Sequence, residues 1–121
     1  MEQWKNKTIQ DDGSAVSEEF IEFIGDLRQY LEKELNRVGL ELHTYSPNHY
    51  DISGFVFNRE HKKYGYFSLS DVRYTTDWAR VILVRSAKHE KDYTGGRNRY
   101  TGFDDLIEIL VRITNGENEN E

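Results

Sequence analysis

The chain has 121 residues, a formal net charge of -6 and no cysteine. That length sets the expectation of one domain. The lack of thiols excludes a disulfide scaffold, a thiol nucleophile and a thiolate-ligated zinc site. Leu, Ile, Val and Phe account for 30 of the 121 residues, enough for a core, while a mean hydropathy of -0.83 demands a very polar surface. No apolar run is long enough for a transmembrane helix, and the start Met1-Glu-Gln-Trp-Lys5 lacks the apolar region of a secretory signal. The expected setting is therefore cytoplasmic, with no membrane partner.

Charge is unevenly distributed. Residues 1–58 carry 5 basic and 11 acidic side chains, residues 59–99 carry 10 and 5, and residues 100–121 carry 1 and 6. A basic middle between acidic ends points to a charged partner, or to acidic segments that neutralise the basic one within the fold.

In chain order, residues 1–16 read as a flexible polar lead, with Asp11-Asp12-Gly13 as a turn signal. Residues 17–115 read as a single α+β domain. Ser17 to Val38 is expected to be an amphipathic helix capped by Ser17, with Glu18 and Glu19 at its positive end. Phe20, Ile24, Leu27, Leu31, Leu35 and Val38 form its apolar stripe, and Gly39 stops it. The period then changes to two. Leu40–Tyr45 alternates weakly, and Tyr50–Asn58 and Lys63–Asp71 read as strands of a hairpin joined by Arg59-Glu-His-Lys62. Trp78–Ser86 is a fourth strand whose Val81-Ile82-Leu83-Val84 run suits a covered, central position. Residues 87–100 are expected as a loop. Thr101-Gly-Phe-Asp104 opens a second helix as a capping box, with Phe103, Leu106, Ile107, Leu110 and Ile113 inward and Asn115-Gly116 at its end. The tail 116–121 is expected to be disordered and acidic. The resulting fold class is α+β: an antiparallel sheet of about four strands flanked by an N-terminal and a C-terminal helix.

Loops as long as 87–100 are uncommon in small domains and are often functional. This one places Lys88, Lys91, Arg97 and Arg99 around Gly95-Gly96, with Tyr93 and Tyr100 beside them. Paired glycines permit positive φ and close backbone approach to a ligand. They equally suit a hairpin turn between extra edge strands. The segment lacks the P-loop spacing, and no cofactor is expected. A second surface interleaves Arg59, Lys62, Lys63, Arg73, Arg80 and Arg85 with Tyr64, Tyr66, Phe67, Tyr74 and Trp78. Basic and aromatic residues on one sheet face can form a single-strand nucleic-acid platform. The plain alternative is a strand with Phe67 and Leu69 in the core and Tyr64, Tyr66 and Ser68 toward solvent.

Asp51, Glu60 and Lys62 superficially match a metal-dependent nuclease constellation, in which carboxylates hold a divalent cation and a lysine stabilises developing charge. Glu60 and Lys62 fall in a turn, however, and Tyr50 stands where that motif carries proline. His43, His49, His61 and His89 have no tight metal-ligand spacing, although His49 and Asp51 share a strand face. No metal site and no catalytic residue is assigned. The acidic first helix offers a negative face to a basic partner, or is the polar side of an ordinary amphipathic helix.

The stretch Val84-Arg-Ser-Ala-Lys-His-Glu-Lys-Asp-Tyr-Thr-Gly-Gly-Arg-Asn-Arg-Tyr100, with Tyr66-Phe-Ser-Leu-Ser-Asp-Val-Arg73, resembles small uncharacterised proteins of bacterial plasmids, phages and integrative elements. The resemblance implies an anti-defence inhibitor or a regulator of element transfer. The expected function is thus a non-enzymatic binding protein for a protein or nucleoprotein partner. Its expected partner-binding residues are Arg85, Lys88, His89, Lys91, Asp92, Tyr93, Gly95, Gly96, Arg97 and Tyr100. Direct nucleic-acid binding through residues 59–100 is the first alternative, a metal-dependent nuclease the second. An exposed sheet edge or an apolar face of the second helix would permit a homodimer.

Overall fold

Phe20, Phe23, Leu27, Leu31 and Leu35 recur at steps of three and four, and this segment folds as helix α1, Glu18–Arg37, with all five side chains buried. The structure is a computed structural model and describes residues 18–48, 51–70, 81–92 and 96–115. The polar lead, Ser17 and the acidic tail lie outside the described residues. Gly39 ends α1 with φ of +86°, a conformation that disfavours any side chain.

Five strands follow: β1 (Leu40–Asn48), β2 (Asp51–Asn58), β3 (Lys63–Leu69), β4 (Ile82–Ala87) and β5 (Arg99–Thr101). They form one sheet in the order β1-β2-β3-β4-β5, and every neighbouring pair is antiparallel. The hairpin between β2 and β3 turns through residues 59–62, as its polar connector predicts. Helix α2 (Phe103–Thr114) completes the chain order.

Both helices lie on one face of the sheet. Helix α1 packs on β1, and α2 packs across β4, β3, β2 and β5. Ile52, Val56, Phe67, Leu69, Ile82 and Val84 meet the helices' Phe23, Leu27, Leu31, Leu106 and Leu110 in a single core. Gly54 permits this packing. A Cβ there would collide with the Thr44 carbonyl and come within 2.9 Å of the Phe67 ring. The pairing of β1 with β2 is irregular between Leu42 and Thr44, and the Thr44 hydroxyl accepts the Phe55 N–H at 3.1 Å. The bulge thus keeps a backbone donor satisfied while it shifts the strand's alternation.

Four expectations are corrected. The sheet has five strands rather than about four, because Arg99–Thr101 pairs with β4; a three-residue strand is too short to show a period. The strand expected from Trp78 runs over Ile82–Ala87, with residues 78–80 outside the described set. It lies inside the sheet, between β3 and the edge strand β5, but Leu83 is only half-buried while Ile82 and Val84 are buried, so helices cover one face alone. Thr101 does not cap α2. Its backbone is held in the sheet opposite Ile82, and Gly102 takes the cap position without a side-chain hydrogen bond. Val38 leaves the apolar stripe and is 41% exposed, because the helix has already ended and its N–H turns back to the Leu35 carbonyl.

The edges of the sheet are poor templates for pairing. On the β1 edge lie the bulge and Pro47, the chain's one proline. The other edge, β5, is three residues long. Bulges, proline and brevity are the usual devices against edge-to-edge association. No helix among the described residues is long and apolar enough to cross a membrane.

Candidate functional site

The register of the sheet builds the site. On the face away from the helices, Thr44, Phe55, Tyr66 and Arg85 align in one row across four strands. A second row holds Phe57, Tyr64 and Ala87, and a third ends in Ser68, Leu83 and Tyr100. The side chains touch across strands. The Phe55 and Tyr66 ring centroids are 5.0 Å apart, those of Phe57 and Tyr64 are 4.7 Å apart, and His43 meets Tyr64 edge-on at 5.4 Å. The Arg85 guanidinium lies 4.5 Å above the Tyr66 ring, in cation–π range. This face passes from Phe55, which is 2% exposed, through half-buried Tyr66 and Arg85 to Tyr100, which is 63% exposed.

The segment after β4 is tied to that face. Arg85 donates from Nη1 to the Asn98 carboxamide oxygen at 3.3 Å. Gly96 has φ of +76°, and a Cβ on it would run into Ser86. Here the glycine is required twice, by backbone conformation and by space. Asp92 is 9% exposed. Its carboxylate accepts the Lys88 N–H at 2.8 Å, and its own N–H donates to the His89 carbonyl. Asp92 therefore shapes the turn from inside. Lys88, His89, Lys91, Gly96 and Arg97 are exposed around it. Tyr93 and Gly95 lie outside the described residues.

A cleft of about 520 Å³ opens at the end of the sheet where β3 begins and β4 ends. Lys62, Lys63, Lys88, His61, Asp92 and Gly96 are among the residues that line it. The turn bearing His61 and Lys62 is anchored from beneath. The buried Asn58 carboxamide accepts the His61 N–H at 3.2 Å and donates to the Thr114 hydroxyl at 3.3 Å. Thr114 in turn donates to the Leu110 carbonyl at 2.7 Å. Gly65 lets the end of α2 sit this close: a Cβ there would be 3.1 Å from the Thr114 methyl.

Other candidates are not assembled. Asp51 opens β2, whereas Glu60 and Lys62 follow its far end, roughly 23 Å away at the usual strand rise. The described residues hold no cluster of three or more histidine and carboxylate groups suited to a metal ion. His49 lies outside them. Arg59 faces Glu41, with 3.0 Å between its Nε and Oε1, so one cation of the basic segment is balanced by the acidic one. The hydrogen bond from Arg59 holds the Glu41 carboxyl below its ordinary range. On α1, Arg28 pairs with Glu32 and Arg37 with Glu34 at exposed sites, an ordinary solvated helix face. Between the end of α1 and α2 lies an apolar groove of about 510 Å³ lined by Val38, Ile107 and Val111.

Sequence reasoning named Tyr64, Tyr66 and Arg85 but not Phe55, Phe57 or His43 as their neighbours. The signal was the Phe55-Val56-Phe57 run, apolar on both faces like Val81–Val84. The comparisons with known proteins add no relative: no family model, curated protein or solved structure matches the chain.

Proposed function

We propose that this protein is a small non-enzymatic binding module that docks a protein or nucleoprotein partner through the β4–β5 side of the sheet and the segment between those strands. One observation carries the reading: Arg85 is stacked on Tyr66 and bonded to Asn98, next to the exposed ring of Tyr100. Arginine and tyrosine dominate interface energetics. A pre-ordered pair loses little side-chain freedom on docking, so more of its contact energy survives as affinity. The resemblance to mobile-element proteins points to an inhibitor of host defence or a regulator of transfer, acting in the cytoplasm.

Combining Arg97→Ala with Tyr100→Ala tests this. Both side chains are exposed, so the thermal midpoint should stay within the small range typical of surface changes. Capture of a partner from host extract, verified by reciprocal pull-down, should be lost. A partner retained at parental affinity overturns the assignment.

The lysine-lined cleft favours a second reading, direct binding of a nucleic-acid strand, which the net charge of -6 opposes. Fluorescence anisotropy with labelled single- and double-stranded DNA and RNA separates the two. Saturable binding that weakens steeply with salt supports the second reading. Its absence at low salt supports the first.

A further inference from the structure

The cleft at the end of the sheet carries more lysine than a docking surface needs. Lys62, Lys63 and Lys88 line it from three positions, with His61 beside them and Asp92 as the one carboxylate among its lining residues. That carboxylate is already engaged by the Lys88 backbone N–H. Tyr64 adds an aromatic wall, held in place by Phe57 and His43. Its volume of about 520 Å³ is within the usual span of small-molecule sites.

Lys62 supplies an independent observation. It has φ of +54° and is the one non-glycine residue with positive φ among the described residues. A left-handed turn position favours glycine or asparagine. Lysine there holds a strained backbone, and such strain tends to collect at functional sites. The strain is stabilised from below, because Asn58 accepts the next N–H back in the turn and is itself bonded to Thr114.

We infer that this cleft binds a free mononucleotide: the lysines take its phosphates by charge-assisted hydrogen bonds, and Tyr64 takes its base by stacking. A cleft of this volume suits a separate nucleotide better than a continuous strand. The inference goes beyond the docking reading: the cleft shares Lys88 and Gly96 with that surface, but Lys62, Lys63 and Tyr64 lie outside it, so nucleotide binding stands if docking fails.

The test is a titration of the full chain with ADP, inorganic pyrophosphate and oligo(dT), followed by amide NMR and calorimetry. ADP should shift the Lys62, Ser86, Lys88 and Gly96 amides saturably, and pyrophosphate should bind more weakly for want of a base. Lys62→Gly should raise the thermal midpoint, by relieving the backbone, yet weaken ADP roughly tenfold or more through loss of one charged contact. Lys88→Gln should weaken ADP without that gain in stability. The Arg97→Ala, Tyr100→Ala variant should bind ADP like the parent, so failure of docking and failure of nucleotide binding are told apart. Absence of saturable shifts at the cleft overturns the inference. So do pyrophosphate binding as tight as ADP, binding of oligo(dT) without ADP, and ADP affinity unchanged in both lysine variants.

Discussion

Asn58 on β2 and Thr114 at the end of α2 are joined by a buried hydrogen bond, carboxamide Nδ2 to hydroxyl Oγ1, of 3.3 Å. The two residues are 6% and 0% exposed. The bond locks the last turn of α2 onto the sheet and, through the Asn58 carboxamide oxygen, fixes the turn that carries His61 and Lys62. Thr114→Val keeps the shape and strands the Asn58 amide. Leaving a buried donor unsatisfied costs about 1–3 kcal/mol. Urea unfolding should show a lower midpoint with an unchanged slope.

Two glycines should respond to alanine with opposite sign. Gly54 has the Thr44 carbonyl and the Phe67 ring where a Cβ would go, so Gly54→Ala should cost about 3 kcal/mol by overpacking. Gly25 sits within α1, and a Cβ there meets nothing within 4 Å. Gly25→Ala should stabilise by about 0.5–1 kcal/mol through helix propensity. Thermal melts of the two variants check both, and equal shifts would refute the packing argument.

Gly96→Ala should separate loop order from global stability. The left-handed backbone and the contact with Ser86 make any side chain there unfavourable. The segment tethered by Asn98 to Arg85 should detach first. Amide exchange should accelerate at Arg97–Tyr100 and stay slow in Val56 and Phe67. Uniform acceleration across the sheet would contradict this.

Tyr45 makes stability depend on alkaline pH. Its hydroxyl donates to the Ile24 carbonyl at 2.7 Å. Burial raises its pKa above the ordinary tyrosine range, partly opposed by the Arg28 guanidinium. In the unfolded chain it ionises near pH 10; in the folded chain it stays neutral beyond that. Its contribution is therefore complete below about pH 10 and is lost as pH climbs from there toward the folded value. Denaturation between pH 8 and 11 should show this decline, and Tyr45→Phe should flatten part of it while costing about 1 kcal/mol at neutral pH.

Local chemistry alone settled a good part of this protein. The three- and four-residue steps of Phe20, Ile24, Leu27, Leu31 and Leu35 determine α1, Gly39 determines its end, and the polar Arg59–Lys62 connector determines the central hairpin. Those features depend on neighbours in sequence, where period and turn propensity act directly. Only the tertiary structure decided the rest. Arg85 reaches Tyr66 because of strand register, and Asn98 reaches Arg85 because a three-residue strand returns along β4. Asn58 meets Thr114 across 56 positions of sequence because Gly65 lets a helix end settle on the sheet. Such long-range meetings leave no period in the chain; they follow from how the pieces pack, and Lys62, Lys63 and Lys88 share one cleft for the same reason.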